Sequence, residues 1–483
     1  MEKDELKSRT AKGLLWGGIG NGAMQLLNLV FGIFLARLLT PDDYGVVGAL
    51  TIFSAIARLL CESGFTLAIV NRRDVTHADY NAVFWFNLVM SIGLYAILFF
   101  LAPLIAAFYR QPEMTALSRF LFLGFVFGGL STTPAAYILR NLMVKQQSQL
   151  QIVSLIISGV AGVTCAYNGW GFWGIALQTV TYSGCSCLLM WFAADFRPTL
   201  SFNKESLMSM LPFSTRQLIT SLFTHVNNNL FSVILGRFYG MVTTGFYTQG
   251  NKWTMMGYST LVGMINSVGQ PVLRQTIDDR ERTLRVFRKL FRFTSFVSFP
   301  ALFGLAIVAE QLIVITISDK WMESVGVMQV LCVGAAFLPL GILFGNLFNS
   351  IGRPSIYMWN TIAAGVSQMI AICLSYRLGL HGMLMVYVTI NISWLFVWQY
   401  FARRHIGYTM REMLADIVPY LIVTLIATGG AQIAAQSITS PVISLIVKII
   451  TAAAVYCLIL SCLKSGEFRE SVDFLLKRRR PQA

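Results

Sequence analysis

Apolar residues in this chain come in long blocks rather than in strand-like alternation or on the faces of short amphipathic helices. From Gly13 to Leu463, run after run of predominantly apolar residues is broken only by short polar connections. A bilayer hydrocarbon core of ~30 Å is crossed by about 20 such residues in an α-helix. The pattern therefore predicts fourteen transmembrane helices, at 13–36, 46–70, 82–108, 118–142, 150–168, 172–193, 208–236, 244–273, 291–314, 324–349, 355–376, 382–402, 414–434 and 441–463. A membrane β-barrel would show alternating segments of ~10 residues instead, and none occurs. The first block follows the mixed-charge start MEKDELKSRTAKG and is read as an uncleaved first span rather than a signal peptide.

Composition agrees. Hydrophobic residues make up 55% of the 483 positions and charged residues 12%, about half the charged share of soluble domains; mean hydropathy is +0.64. The net charge of +15 raises the question of nucleic acid, but its distribution answers it. With both termini in the cytoplasm, 27 Lys and Arg fall on the cytoplasmic side and 5 on the other, as cytoplasmic loops require. The positive excess is read as a topology signal and a contact surface for anionic inner-leaflet lipids, so no nucleic-acid partner is expected. Two segments look amphipathic. RERTLRVFRKLFRF puts Leu284, Phe287 and Phe291 on one face among Arg and Lys and is expected to lie along the inner leaflet surface. The basic tail FLLKRRRPQA is the other. All eight cysteines fall in apolar runs and read as inert packing residues.

An internal repeat organises the spans. N-x2-F-x3-L-x-R-x7-G occurs at Asn28, Phe31, Leu35, Arg37, Gly45 and again at Asn228, Phe231, Leu235, Arg237, Gly245, offset by 200; P-x6-N-L occurs at Pro134 and at Pro339. Six spans separate the copies, so two lobes insert in the same orientation, a relation found in transporters that bind substrate between repeats. The expected fold is an all-α integral membrane protein of about fourteen helices, with two parallel six-helix lobes around a central cavity plus a C-terminal helix pair. The divisions are 1–193 (first lobe), 194–206 (linker ADFRPTLSFNKES), 207–403 (second lobe), 404–463 (helix pair) and 464–483 (basic tail). Pro134 and Pro339 are expected to kink spans 4 and 10 at matching places.

Polar residues inside the spans are the candidate chemistry. Gln217, Ser221, His225, Asn228 and Ser232 share one face of span 7. In span 1, Asn21, Gln25 and Asn28 stand 200 residues before Ser221, His225 and Asn228. Such stripes face another helix or water, because lipid leaves their groups unsatisfied. The doubled arrangement favours a hydrated cavity whose amides and hydroxyls suit sugars. Five cations, Arg58, Arg119, Arg216, Lys252 and Lys448, also lie within spans. Arg119 and Lys448 are expected to snorkel; Arg58 pairs with Glu62 four residues on or serves function; Arg216 and Lys252 have no local acid and suit a phosphate or pyrophosphate. Asp42, in PDDY, reads as a turn or helix cap. No catalytic set, metal-site spacing or P-loop occurs, so neither an enzyme nor a cofactor is expected.

Four stretches carry a resemblance: ARLLTPDDYGVVGAL, ESGFTLAIVNRRDVTHADYNAVFWFNL, ILGRFYGMVTTGFYTQGNKW and ISDKWMESVGVMQVL. They resemble the bacterial polysaccharide-transporter branch of the multidrug/oligosaccharidyl-lipid/polysaccharide exporter superfamily, over about residues 10–400; the last eighty residues match only in hydropathy. The resemblance implies a flippase in the bacterial cytoplasmic membrane, working by alternating access. Its cargo would be an undecaprenyl-pyrophosphate-linked oligosaccharide for surface polysaccharide, held in a cationic cavity. It also implies H+ or Na+ as candidate coupling ion and the polysaccharide polymerase machinery as candidate partner. Relatives often carry an aspartate near Asn228 or Asn229, where this chain has asparagines, so Glu62 becomes the candidate for proton linkage. A drug exporter of the same superfamily is the alternative, and a membrane polymerase or ligase a further one that short outer loops disfavour.

Overall fold

Helix starts along the chain are set by threonine, aspartate and proline. The Thr76 hydroxyl accepts from the Asp79 N–H while the Asp79 carboxylate accepts from the Thr76 N–H, a reciprocal box repeated by Thr409 and Glu412. Thr40 and Asp43 make the same exchange ahead of Pro41, so the capping aspartate of PDDY is Asp43 rather than the expected Asp42. Asp279 accepts from the Arg282 N–H. Pro354 and Pro441 open their helices, where a missing N–H leaves nothing unsatisfied.

The computed structural model describes residues 2–62, 69, 75–200, 202–205, 208, 225, 227 and 229–477. Among them are α1 (Glu2–Leu38), α2 (Pro41–Glu62), α3 (His77–Tyr109), α4 (Met114–Arg140), α5 (Val144–Tyr167), α6 (Trp173–Ala193), α7 (Asn229–Phe238), α8 (Met241–Arg274) and α9 (Arg280–Ile307). Then follow α10 (Ala309–Ile317), α11 (Glu323–Ala335), α12 (Leu338–Ser350), α13 (Pro354–Ser375), α14 (Gly379–Ile406), α15 (Met410–Ala434), α16 (Pro441–Cys462) and α17 (Gly466–Lys477). No strand occurs among the described residues.

Ten stretches of these helices are long and apolar enough to cross a membrane. One of them, Pro354–Ile406, holds two helices, α13 and α14, broken at Tyr376–Leu378, after which Gly379 takes φ +78°. The expected kinks at Pro134 and Pro339 differ from each other. Pro134 sits within a continuous α4, whereas Pro339 opens α12 after α11 has ended.

The chain divides into two compact units, Met1–Gly245 and Phe246–Ala483. In the first, Leu50, Leu117 and Phe122 are fully buried at the centre of one cluster, and Tyr109 donates its hydroxyl to the Ala49 carbonyl. A second cluster gathers Tyr80, Phe84 and Phe196. Beside it, three residues spaced four apart on α3 hold the stretch that follows α6. His77 Nε2 lies 2.9 Å from the Arg197 carbonyl, Asn81 Oδ1 accepts from the Thr199 N–H, and Trp85 Nε1 donates to the Thr199 carbonyl. The repeat shows as a reciprocal contact. A β-carbon at Gly45 would overlap the Met241 carbonyl, and one at Gly245 would overlap the Pro41 carbonyl. All four residues obey the 200-residue offset, so the first turns of α2 and α8 cross backbone to backbone.

In the second unit, the segment expected at the leaflet surface is instead packed inside. Phe287 and Phe291 are 0% exposed, with ring centroids 5.3 and 5.4 Å from Phe344 and 5.3 and 5.6 Å from Tyr408. The cations beside them find protein acids rather than headgroups. Arg288 makes a two-pronged bond to Asp416 at 3.0 Å and reaches Glu412 at 2.9 Å. Arg292 meets Glu467 at 3.0 Å and Lys289 meets Glu470 at 2.7 Å. These pairs tie α9 to α15 and α17. Lys448, expected to snorkel, is 4% exposed and donates to the Ile307 carbonyl (2.9 Å) and to Gln311 Oε1 (3.1 Å). It stays because α9 ends at Ile307 and leaves that carbonyl without a helical partner. Arg119, the other, donates to the Phe99 carbonyl and lies 4.2 Å over the Phe99 ring.

Two outcomes follow from this packing. Gly45→Ala and Gly245→Ala should each lower the unfolding free energy by about 1–3 kcal/mol, the range for overpacking. Gly22→Ala, with open space around it, should be neutral or stabilising; thermal unfolding of the purified protein separates the cases, and equal midpoints for all three variants would contradict the crossing. Arg288→Met should cost about 3 kcal/mol by stranding the Asp416 carboxylate, which is 2% exposed. The double variant Arg288→Met/Asp416→Leu should regain much of that loss in the same measurement.

Candidate functional site

Six helices of the first unit turn one mixed polar and apolar face each toward a common space, with Leu121 and Phe125 of α4 among the apolar members. In α2 that face is Val47, Thr51 and Ser54; in α5 it is Gln151, Leu155 and Ser158; in α6 it is Gln178, Tyr182 and Ser186. In α4 it is Gly124, Gly128, Ser131 and Thr132, in α1 Met24 and Asn28, and at the start of α7 His225 and Asn229. Steps of three and four keep each set on one helix side. Small residues on α4 leave the space open between helices that large side chains would fill. The cavity has a volume of about 1060 Å³.

Hydrogen bonds fix the orientation of several lining groups. Thr51 donates to the Gly48 carbonyl at 2.6 Å and lies 3.1 Å from Asn229 Oδ1; Asn229 Nδ2 donates to the His225 carbonyl at 2.8 Å. Asn229 thus turns its amide oxygen toward α2. Ser131 and Thr132 both donate to Gly128, Ser158 to Leu155, Thr179 to Ile175 and Ser183 to Thr179. Bonds of this kind satisfy a buried hydroxyl within its own helix. Among the described lining residues there is no Asp, Glu, Lys or Arg. Nor do the described residues contain a group of three His, Cys, Asp or Glu able to hold a metal ion.

Of the residues expected from the sequence, the cavity brings together Asn28 and His225. Gln25 is exposed on α1 and does not line it. Lys252 is half-buried on α8 in the second unit, with no ion pair or hydrogen bond to another described residue. Arg58 and Glu62 lie on α2, but their side chains are outside the described residues, as are Arg216 and Asn228 altogether. The glutamines and hydroxyls of α4, α5 and α6 were missed by reading only the first helix of each repeat. Their signal was present, as the i, i+4 spacing of polar residues in QTVTYSGCS.

Comparison with known proteins places this architecture. Residues 34–326 match the family described as polysaccharide biosynthesis protein. The chain is 26% identical over 358 residues to the lipopolysaccharide biosynthesis protein WzxC of Escherichia coli K12, covering 73% of this chain and 72% of that one. It is 21% identical to the succinoglycan biosynthesis transport protein ExoT of Rhizobium meliloti, covering 69% and 67%. Its fold is similar to the lipid II flippase MurJ in an inward closed conformation, with a TM-score of 0.74 at 12% identity over 93% of this chain and all of that one. It is also similar to an inward-facing multidrug transporter of the MATE family, with a TM-score of 0.65 at 19% identity over 79% and 94%. With its apolar helices and more than half its length matched, the chain is a multi-pass membrane protein that belongs to the polysaccharide biosynthesis protein family.

Proposed function

We propose that this protein is a flippase that carries undecaprenyl-pyrophosphate-linked oligosaccharides across the bacterial cytoplasmic membrane for surface polysaccharide synthesis. The cavity supports this reading most directly. It is large, lies among membrane helices and sets neutral amides and hydroxyls among apolar residues such as Leu121, Phe125 and Leu155, a mixture that matches the donors, acceptors and apolar ring faces of a glycan. The relatives described as polysaccharide biosynthesis and transport proteins point the same way. A cationic drug would need an acid in the lining, and the described lining has none.

In this reading transport proceeds by alternating access of two lobes, 1–193 and 207–403, joined by 194–206, with 404–463 as an added helix pair and both termini in the cytoplasm. Arg58, Arg216 and Lys252 serve the pyrophosphate, Asn28, His225 and Asn228 the sugars, and Glu62 the coupling to H+ or Na+. The asymmetry of Lys and Arg between connections supports the orientation. The absence of any described partner for Lys252 supports an anionic ligand there, since an embedded ammonium costs at least ~3 kcal/mol without one.

Loss of the gene should leave lipid-linked oligosaccharide accumulated on the cytosolic leaflet, read by lipid extraction and leaflet-specific labelling; an unchanged lipid pool would remove the proposal. Gly128 faces open space in the cavity, so Gly128→Leu should keep the unfolding midpoint yet reduce export. Neutralising Arg58, Arg216 and Lys252 together should lower export by about tenfold or more, the equivalent of ~1.4 kcal/mol of lost binding. Glu62→Gln should abolish dependence on the proton gradient, and persistent dependence would exclude Glu62 as the coupling group.

A further inference from the structure

A proline inside a helix has no N–H for the carbonyl four residues back, and its ring pushes that carbonyl aside. In a bilayer the freed oxygen needs a donor from elsewhere in the protein. Three helices of this chain meet that need in the same way. Pro103 of α3 frees the Phe99 carbonyl, which accepts from Arg119 Nε of α4 at 3.3 Å. Pro300 of α9 frees the Phe296 carbonyl, which accepts from the Tyr456 hydroxyl of α16 at 2.8 Å. Pro134 of α4 frees the Leu130 carbonyl, which accepts from Trp191 Nε1 of α6 at 3.1 Å. The three donors differ in chemistry and each stands on another helix, so the pairing of a proline with a distant donor recurs independently.

The Pro134 pair stands in the wall of the cavity. Ser131, Thr132 and Ala135 line the space on either side of the proline, and Ser186, little more than one turn before Trp191, lines it from α6. Earlier along the same two helices, glycines allow close approach. A β-carbon at Gly124 would lie 3.6 Å from Ser183 Oγ, and one at Gly184 would lie 3.6 Å from the Phe127 ring. At Leu130 an indole bridges the helices instead. That indole is held from its other side too. It meets Phe84 of α3 edge-on with centroids 5.5 Å apart, and Phe196, in the stretch after α6, at 6.1 Å. The same stretch is pinned to α3 through His77, Asn81 and Trp85. Trp191 therefore couples the α4 wall to α3 and to the chain leaving α6.

Resting on the flippase reading, we propose that Trp191 is a positioning residue for transport. By taking the carbonyl that Pro134 releases, its indole N–H holds α4 to the course the proline imposes, and with it the part of the wall formed by Ser131, Thr132 and Ala135. A straight α4, with the Leu130 carbonyl returned to its own hydrogen-bond ladder, would move those three residues relative to Gln178, Tyr182 and Ser186 of α6.

The test uses the full chain in proteoliposomes, a polyprenyl pyrophosphate carrying a tetrasaccharide as the probe, and thermal unfolding of the same preparations. Trp191→Phe keeps a ring and removes the donor. It should lower the unfolding midpoint, because a carbonyl within the protein loses its partner, and slow flipping about tenfold, ~1.4 kcal/mol in the barrier. Adding Pro134→Ala gives the Leu130 carbonyl a helical N–H again. The double variant should regain the wild-type midpoint yet still flip slowly, since the bend is gone. Pro134→Ala alone, whose helix needs no indole to satisfy it, should fold and also flip slowly. Recovery of both midpoint and flipping in the double variant would reduce Trp191 to a packing residue and overturn the proposal. A midpoint that the second substitution does not restore, or wild-type flipping by Pro134→Ala, would overturn it as well. Absence of flipping by folded wild-type protein would overturn the flippase reading instead, while the midpoints would still report the exchange of donors.

Discussion

In a bilayer every backbone and side-chain polar group has to find its partner inside the protein or in an enclosed pool of water. That requirement shapes each part of this molecule. Serines and threonines on α4, α5 and α6 turn back to their own helix carbonyls. Lys448 stays deep because the break between α9 and α10 frees the Ile307 carbonyl for it. Where several helices turn such residues to the same space, water or a polar cargo becomes the remaining partner, and a cavity persists that apolar side chains would otherwise close.

Charge obeys the same rule at the ends of the helices. Arg288, Lys289 and Arg292 stand on a segment whose composition suits a lipid surface, yet acids from α15 and α17 reach them first. The two-pronged Arg288–Asp416 bond and the aromatic cluster of Phe287, Phe291, Phe344 and Tyr408 are two faces of one helix segment. The bond orders the cationic side while the rings fill the other, so the C-terminal helices belong to the second unit's core rather than lying loosely beside it. In the first unit the reciprocal glycines at 45 and 245 follow from the repeat, which supplies matching gaps where two helix starts can cross.

Much of the fold was legible in the residues, because hydrophobic block length is a direct physical readout of membrane thickness. The all-helical class and the 200-residue offset both follow from local spacing. The same offset led to Asn28 and His225, both of which line the cavity. Gln151, Gln178 and Ser183 were not singled out, since one polar residue per turn within an apolar helix looks alike whether it faces a neighbour or a void. Which aspartate of PDDY caps α2 is not written in local spacing, because both stand at the helix start and only the direction of the Thr40 side chain separates Asp43 from Asp42.

By itself, then, the order of residues determined that the chain crosses a membrane as helices and carries a duplication, because those properties depend on length and periodicity along one dimension. Tertiary structure decided which cations are neutralised, which aromatic face is core and which hydroxyls surround open space. Those depend on partners more than a hundred residues away, such as Asp416 for Arg288 and Asn229 for Thr51, and spacing within a single helix carries no information about which distant helix will stand opposite.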